Sequence, residues 1–290
     1  MKYTDAFRSN SWVRLMRFDK PIGIYLLLWP TYWGLWFASN GQPTLKNFIV
    51  FTLGVLVMRA AGCVINDYAD RDVDGSVERT KSRPIPAGEI APKQALVLFL
   101  VLLVGALILV LQTNPLTIML AIIGLLLAVV YPFLKRLTNL PQLGLGIAWA
   151  WAVPMAFAAE QQALPAGLWL ISAAIVLWTI AFDTYYAMVD REDDLTIGIK
   201  STAILFGKQD LLIIAILQIL ALILLTLAGS YFQRGWIYSL GLIIAAGYFI
   251  SQHLLARTRQ TEGCFKAFLN NHRVGMAIFI ALALDFSLQH

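Results

Sequence analysis

The sequence predicts an all-α, polytopic membrane protein with about nine transmembrane helices around a central cavity. Of its 290 residues, 59% are hydrophobic and only 13% are charged. Its apolar stretches reach the roughly 20 residues that a helix needs to cross a bilayer. The Lys and Arg residues are concentrated in alternate links between these stretches, as in proteins that cross a membrane repeatedly. We expect residues 1–290 to form a single integral membrane domain.

Nine apolar stretches are long enough to be transmembrane spans. They cover residues 21–39, 46–66, 93–112, 115–132, 140–159, 165–189, 211–230, 236–256 and 272–289. The links that follow the first, third, fifth and seventh spans are short, and the other links are longer and polar. All the long links should therefore lie on one side of the membrane.

The distribution of positive charge predicts which side that is. Nineteen Lys and Arg residues lie in the N-terminal segment and the long links, whereas the opposite side carries only Lys46 and Arg234. By the positive-inside rule, the N-terminus and the long links are cytoplasmic, and nine spans place the C-terminus outside. The net charge of +5 is thus a topology signal. No basic patch is interleaved with aromatic residues in a soluble domain, so we do not expect nucleic-acid binding.

The first 20 residues form a basic segment that also carries apolar residues, among them Trp12, Leu15 and Phe18. This pattern favours a helix that lies in the membrane interface, with its arginines on lipid headgroups. A direct role of the segment in a functional site is the alternative.

The second span runs into a first acidic stretch, which carries Asn66, Asp67, Asp70 and Asp74. If the helix continues through this stretch, the three aspartates lie within roughly 60° of one another around its axis. Asp72 lies about 140° from Asp67 in the same projection and points elsewhere. Three carboxylates on one edge repel one another unless a cation lies between them, and such hard oxygen ligands suit Mg²⁺.

Basic and aromatic residues accompany this stretch. Arg59 lies about 10 Å before Asn66 on the same helix face. An arginine within an apolar span is a candidate functional residue, with pairing to a structural carboxylate as the alternative. The fourth span ends with Tyr131, Lys135 and Arg136, whose cations either anchor the helix or bind a phosphate group.

The sixth span ends in a second acidic stretch. Asp183, Asp190 and Asp194 have the spacing of one helix face, whereas Glu192 projects to the opposite side. Asp183 is the deepest of these acids and is close in sequence to Tyr186. This stretch therefore predicts a second acidic edge.

The two acidic stretches resemble each other. They contain the same residues in the same order, which are Asp70, Arg71, Lys81, Ser82 and Gly88 in the first and Asp190, Arg191, Lys200, Ser201 and Gly207 in the second. An offset of about 120 residues predicts two repeated four-helix units followed by a final helix, and repeat-related half-sites commonly meet at one cavity. Chance similarity of two loops is the alternative.

At these residues the sequence resembles the UbiA-type intramembrane prenyltransferases. Their first signature is Asn-Asp-x-x-Asp-x-x-x-Asp, which Asn66 to Asp74 match, and their second is Asp-x-x-x-Asp, which Asp190 and Asp194 match. The similarity extends along the whole chain through RLMRFDKPIG, LLLWP, YPFLKR and PMAFAA. Within the family, the sequence around the motifs is most similar to the branch that acts in ubiquinone biosynthesis. This resemblance implies a location in the bacterial inner membrane.

The resemblance implies an activity and its participants. A polyprenyl group would pass from polyprenyl diphosphate to the ring carbon ortho to the hydroxyl of 4-hydroxybenzoate, with release of diphosphate and with Mg²⁺ as cofactor. The resemblance implies roles for the motif aspartates and the adjacent cations, and the residue patterns above add Arg59, Tyr131, Asp183 and Tyr186. Candidate metal ligands are Asp70, Asp74, Asp190 and Asp194. Candidate catalytic residues are Asn66, Asp67, Asp183, Lys135 and Arg136. Candidate substrate-binding residues are Arg59, Arg71, Tyr131, Tyr186, Arg191 and Lys200.

Two other functions remain open from the residues alone. A divalent-cation transporter would also place acids at helix ends in a repeated bundle. It explains the carboxylates but not the adjacent Lys and Arg residues, which an anionic diphosphate does explain. The other alternative is a relative with a different acceptor, of the menaquinone or haem branch.

Overall fold

The computed structural model describes residues 9–72, 75 and 80–289, without the side chain of Lys135. These residues form helices joined by turns and irregular links, without any strand. Asp74 lies outside the described residues. We number the helices in chain order: α1 (Ser11–Leu15), α2 (Ile22–Ala38), α3 (Leu45–Ala69), α4 (Pro92–Val110), α5 (Pro115–Val130), α6 (Leu134–Leu137), α7 (Pro141–Ala150), α8 (Ala152–Gln161), α9 (Gly167–Val189), α10 (Arg191–Ile197), α11 (Thr202–Phe206), α12 (Asp210–Tyr231), α13 (Trp236–Ala256) and α14 (Thr261–Gln289).

Nine segments of the described chain have the length or composition of membrane spans. Eight are long and apolar enough to cross a bilayer, and α2 is a shorter apolar helix of 17 residues. Three of the eight combine consecutive elements: Pro115–Phe133 includes a 3₁₀ turn after α5, Pro141–Gln161 joins α7 to α8, and Thr202–Tyr231 joins α11 to α12. The prediction of an all-α membrane fold with about nine helices is confirmed.

The last helix begins earlier than the sequence predicted. We expected its span to begin at residue 272 after a long polar link, but α14 begins at Thr261 and has 29 residues. Its first turns carry Lys266 and Glu262, which form an ion pair of 2.6 Å at the i, i+4 spacing of a helix surface. Hydropathy detects only the apolar part of a helix, so the prediction missed this polar extension.

The helix through the first acidic stretch also ends where the sequence did not predict. The projection through Asp74 assumed a continuous helix, and this condition is not met, because α3 ends at Ala69 and Asp70 is its C-cap. The Asp70 N–H still donates to the Asn66 carbonyl at 3.0 Å, but φ −95° and ψ 2° leave the helical region. Asp and Gly favour turns over helix interiors, which accounts for an end in a sequence rich in both.

The second acidic stretch has the same local structure. Helix α9 ends at Val189, and Asp190 follows with φ −98° and ψ 4°, after which α10 begins at Arg191. The prediction that one helix carries Asp183, Asp190 and Asp194 is therefore wrong. Because Asp70 and Asp190 are both C-caps with nearly equal backbone angles, the two repeats agree in conformation as well as in sequence.

The hydrophobic core lies around α9, which is buried among α2, α7, α8, α12, α13 and α14. Trp178 of α9 stacks on Trp33 of α2 with ring centroids 5.4 Å apart, and its indole N–H donates to the Asn271 side chain at 2.9 Å. By contrast, α4 and α5 bury few of their residues and expose a row of apolar side chains. The bundle is therefore tightly packed on one side and open on the other.

The N-terminal segment packs onto the protein at the end of the bundle that carries the acidic stretches, which we call the motif end. Leu15 is fully buried against Val64, Ile85 and Ile90. Arg14 donates to Glu89 at 2.9 Å and also contacts the Ser82 carbonyl. The segment and residues 80–90 thus form one layer, and the structure favours a role in the site over a purely interfacial helix.

Candidate active site

A polar cavity of about 490 Å³ lies at the motif end of the bundle. Residues of both acidic stretches line it, as the repeat predicted. Its acidic lining residues are Asp19, Asp67, Asp70, Asp183, Asp190 and Asp194. Its basic lining residues are Arg14, Arg17, Lys20, Arg59, Arg83 and Lys200. The cavity therefore presents charges of both signs to whatever it binds.

Most of the residues predicted for the site line this cavity. They are Arg59, Asn66, Asp67, Asp70, Tyr131, Asp183, Tyr186, Asp190, Asp194 and Lys200. Asp74 and the side chain of Lys135 lie outside the described residues, so their predicted roles remain predictions. The structure does not bring Arg71, Arg136 and Arg191 into the lining.

These three arginines instead contact the backbone or acids behind the acidic stretches. Arg71 donates to the Tyr68 carbonyl at 2.8 Å and lies 3.4 Å from Asp72. Arg136 donates to the Ala69 carbonyl at 2.6 Å, where the carbonyl groups at the end of α3 attract a cation.

Arg191 lies 2.5 Å from Asp210, a fully buried acid that Arg259 also contacts at 2.9 Å. Hydrogen bonds to Asp210 raise the pKa of Arg259. In this structure Arg191 and Arg136 hold the ends of α9 and α3 in place.

Two arginines that line the cavity, Arg17 and Arg83, were not among the predicted site residues. The carboxylate of Asp67 is only 1% exposed and forms ion pairs with Arg17 at 2.8 Å and with Arg83 at 3.1 Å. Arg17 comes from the N-terminal segment, where its backbone adopts the left-handed conformation with φ 59°, and Arg83 comes from the layer that packs on that segment. A buried aspartate requires cationic or hydrogen-bonding partners, so the position of Asp67 at the end of an apolar helix was the available signal.

We predict that Asp67→Asn loosens this layer. The substitution removes the charge that two partly buried arginines share, and we expect a loss of about 1.5–3 kcal/mol of stability. Thermal unfolding of the purified protein in detergent should show a midpoint lower by roughly 2–5 °C.

Asp72→Asn is the matched control, because the Asp72 side chain is 74% exposed. Its melting midpoint should stay close to that of the unmodified protein. Equal shifts in the two variants would contradict the anchoring role of Asp67.

The acidic lining has the chemistry of a magnesium site. Carboxylate oxygens next to a water-accessible cavity are the ligands that Mg²⁺ prefers, and Mg²⁺ commonly takes only one or two of them and shares a phosphate. No three His, Cys, Asp or Glu side chains form a ready-made metal site in the part of the chain that the structure describes, which lacks Asp74. The residues present therefore fit an ion that is held jointly by protein and substrate.

A second, apolar cavity of about 350 Å³ adjoins the polar one. Side chains from α2, α3, α4, α5, α7 and α8 line it. Two of these, Leu107 and Ile122, are also more than half exposed, so the cavity reaches the outer surface between α4 and α5. Four residues line both cavities: Arg59, Gly62, Tyr131 and Trp149. They define a junction between a charged compartment and an apolar one.

Arg59 is the only charged residue of this junction. Its Nε atom is buried and has no hydrogen-bond partner among the described residues. Its guanidinium interacts electrostatically with Tyr131, Tyr186 and Asp183. A cation placed at the boundary between an apolar and a polar compartment is suited to bind an anionic group of a mostly apolar molecule.

Comparison with known proteins agrees with this arrangement. Residues 27–282 match the model of the UbiA prenyltransferase family. The chain belongs to the UbiA prenyltransferase family. The similarity that the two aspartate motifs predicted is thus confirmed, and with it the assignment of the chain as an integral membrane prenyltransferase.

Relatives of this family match the chain over nearly its full length. The 4-hydroxybenzoate octaprenyltransferase of Ectopseudomonas mendocina is 56% identical over 100% of this chain and 98% of its own. That of Saccharophagus degradans is 54% identical over 95% of this chain and 92% of its own.

Solved structures of the family share the fold. A UbiA homologue from Aeropyrum pernix superposes with a TM-score of 0.81 at 25% identity, over 90% of this chain and 97% of its own. A homologue from Archaeoglobus fulgidus, solved with GPP and Mg²⁺, gives 0.76 at 20% identity, over 96% of this chain and 99% of its own. The helical bundle described above is therefore the UbiA fold.

Proposed function

We propose that this enzyme transfers a polyprenyl group from polyprenyl diphosphate to 4-hydroxybenzoate, at the ring carbon ortho to the hydroxyl, in ubiquinone biosynthesis. The observation that carries the proposal is the junction of an acidic and basic cavity with an apolar cavity that reaches the lipid-facing surface. A donor with a charged head and a long apolar tail requires both compartments. The acceptor follows from the relatives, which are named 4-hydroxybenzoate octaprenyltransferases and match nearly the whole chain.

The polar cavity would hold the diphosphate of the donor. Lys200, Arg17 and Arg83 line it and supply positive charge near the diphosphate oxygens, although Arg17 and Arg83 also neutralise Asp67. Asp70, Asp190 and Asp194, together with Asp74 of the same motif, would hold Mg²⁺. When bound, the ion would neutralise the negative charge that develops on the departing diphosphate.

The reaction exchanges one bond for another at the junction. The bond between the allylic carbon and the diphosphate oxygen breaks, and the ortho carbon of the phenol forms a bond to the allylic carbon. The ortho carbon then loses its proton to water or to the released diphosphate, which restores the aromatic ring. Asp183 lines the polar cavity beside Tyr186 and interacts electrostatically with Arg59. We propose that Asp183 and Asn66 orient the phenol, and that Tyr131 and Trp149 cover the apolar side of the reacting carbon.

The membrane orientation completes the proposal. Nineteen of the 22 Lys and Arg residues lie at the N-terminus and in the links that we predicted to share one side. This distribution supports a cytoplasmic motif end in the bacterial inner membrane, where water-soluble 4-hydroxybenzoate and Mg²⁺ are available. A divalent-cation transporter would not need the apolar cavity that adjoins the site.

A direct assay tests the proposed function. Membranes that contain the protein should convert labelled 4-hydroxybenzoate into lipid-soluble product when polyprenyl diphosphate and Mg²⁺ are present. Parallel assays with a dihydroxynaphthoate and with haem as acceptors distinguish the other branches of the family. Product from either of these but not from 4-hydroxybenzoate would overturn the acceptor assignment.

We predict that Arg59→Ala raises the KM for 4-hydroxybenzoate and leaves the KM for the donor nearly unchanged. The reason is the loss of one charged hydrogen bond to the acceptor carboxylate, about 1.5–3 kcal/mol, which corresponds to a rise of roughly 10- to 150-fold. Steady-state kinetics with each substrate varied in turn provide the measurement. An unchanged acceptor KM would make Arg59 a structural cation.

A further inference from the structure

Gly23 lies in the first turn of α2, buried in the wall of the polar cavity and directly against Arg59. A Cβ atom added at Gly23 would lie 2.4 Å from both Nε and Nη2 of Arg59 and 2.7 Å from its Cζ. These distances are well below van der Waals contact. The guanidinium of Arg59 therefore occupies the space that a side chain at position 23 would fill.

The backbone of Gly23 does not require a glycine. The residue is helical, and the preceding Pro21 has φ −72° and ψ 0°, which are ordinary for the start of a helix. Glycine inside a helix is less stable than alanine, because it loses more backbone freedom on folding. The close approach of Arg59 is the feature of the structure that accounts for a glycine at this position.

Besides its contact with Gly23, the guanidinium of Arg59 interacts electrostatically with Tyr131, Tyr186 and Asp183. Its Nε atom is buried without a hydrogen-bond partner among the described residues. No ion pair between Arg59 and an acid occurs among the described residues either. The close approach to Gly23 is thus one steric restraint on where the charged head lies in the junction.

We infer that Gly23 is a positioning residue for Arg59, and that its missing side chain determines where the acceptor's carboxylate binds. This inference rests on the proposed function, in which Arg59 binds that carboxylate. A methyl group at position 23 would have to displace the guanidinium by about 1 Å to restore ordinary contact. Displacements of this size cost as much as 100-fold in a preorganised site.

The inference predicts a selective defect in Gly23→Ala. The atoms that the new methyl group meets are at the flexible end of a side chain, so the fold should accommodate it by moving Arg59. We expect the KM for 4-hydroxybenzoate to rise about tenfold, with the donor KM unchanged. We also expect the preference for 4-hydroxybenzoate over the neutral 4-hydroxybenzamide to fall, because that preference measures recognition of the carboxylate charge.

The experiment compares Gly23→Ala, Arg59→Ala and the double variant in membranes. If Gly23 acts through Arg59, then Gly23→Ala changes the acceptor KM less than twofold once Arg59 is already alanine, because the clash has been removed. Gly247→Ala is the matched control, since Gly247 also lies in a helix, α13, and has nothing within 4 Å of an added Cβ. Its kinetics should equal those of the unmodified enzyme.

Each other outcome has a defined meaning. Full additivity in the double variant, or equal rises in donor and acceptor KM for Gly23→Ala, would overturn the role of Gly23 while the acceptor role of Arg59 stands. If Arg59→Ala leaves the preference for the carboxylate intact, then the proposed role of Arg59 fails and the inference fails with it. If Gly23→Ala does not fold, the double variant should restore expression, and failure to do so would overturn the inference.

Discussion

Removal of divalent cations should abolish prenyl transfer by this enzyme, and added Mg²⁺ should restore it. Asp70, Asp183, Asp190 and Asp194 line the cavity that we propose for the diphosphate. Two like charges 4 Å apart repel by about 4 kcal/mol at an effective dielectric constant of 20, so binding an anion among these acids is unfavourable without a counter-ion. The expected loss of activity is at least about 100-fold.

The measurement is the membrane assay in excess chelator, followed by titration with Mg²⁺. Membranes that contain the Asp67→Asn variant provide a useful comparison, because that substitution should change stability more than the dependence on Mg²⁺. Full turnover in excess chelator would contradict the metal role and with it the proposed function of both acidic stretches.

Asp194→Asn should reduce kcat by about 100- to 1000-fold, whereas Asp193→Asn should change it less than about twofold. Both residues lie on α10 and carry the same charge, so a general effect of negative charge would treat them alike. Asp194 lines the polar cavity, and Asp193 does not. The expected difference between the two variants therefore depends on which side chain lines the cavity, and not on the number of acidic residues in α10.

Steady-state rates at matched expression compare the two variants. The Mg²⁺ concentration that gives half-maximal activity should rise for Asp194→Asn and remain constant for Asp193→Asn. Equal losses in both variants would show that α10 does not present Asp194 to the substrates in the arrangement described here.

Much of the fold was predictable because bilayer thickness constrains helix length. Eight crossing-length helices and the shorter α2 overlap the predicted spans, although α14 begins 11 residues earlier than predicted. The meeting of the two acidic stretches was also predictable, since the repeat required Asp70 and Asp190 to occupy equivalent places. The structure adds that both are C-caps of their helices.

The details of the site depended on tertiary contacts that periodicity does not encode. Because α3 ends at Ala69, the direction of the Asp70 side chain cannot be calculated from a helical projection of the sequence. Arg17 lies 50 residues from Asp67 in the chain, and no local pattern joins them. Arg59 fills a space that is present because Gly23 has no side chain. Such relationships appear only when the helices are assembled.

The opening of the apolar cavity between α4 and α5, at Leu107 and Ile122, has a consequence for kinetics. A polyprenyl tail that enters through this opening stays in an apolar environment throughout. It thereby avoids the free energy of transfer from membrane to water, about 0.8 kcal/mol for each methylene group. The enzyme then encounters its donor by two-dimensional diffusion. Its saturation should follow the mole fraction of donor in the membrane or micelle, so that added inert detergent lowers the rate by surface dilution at constant bulk concentration.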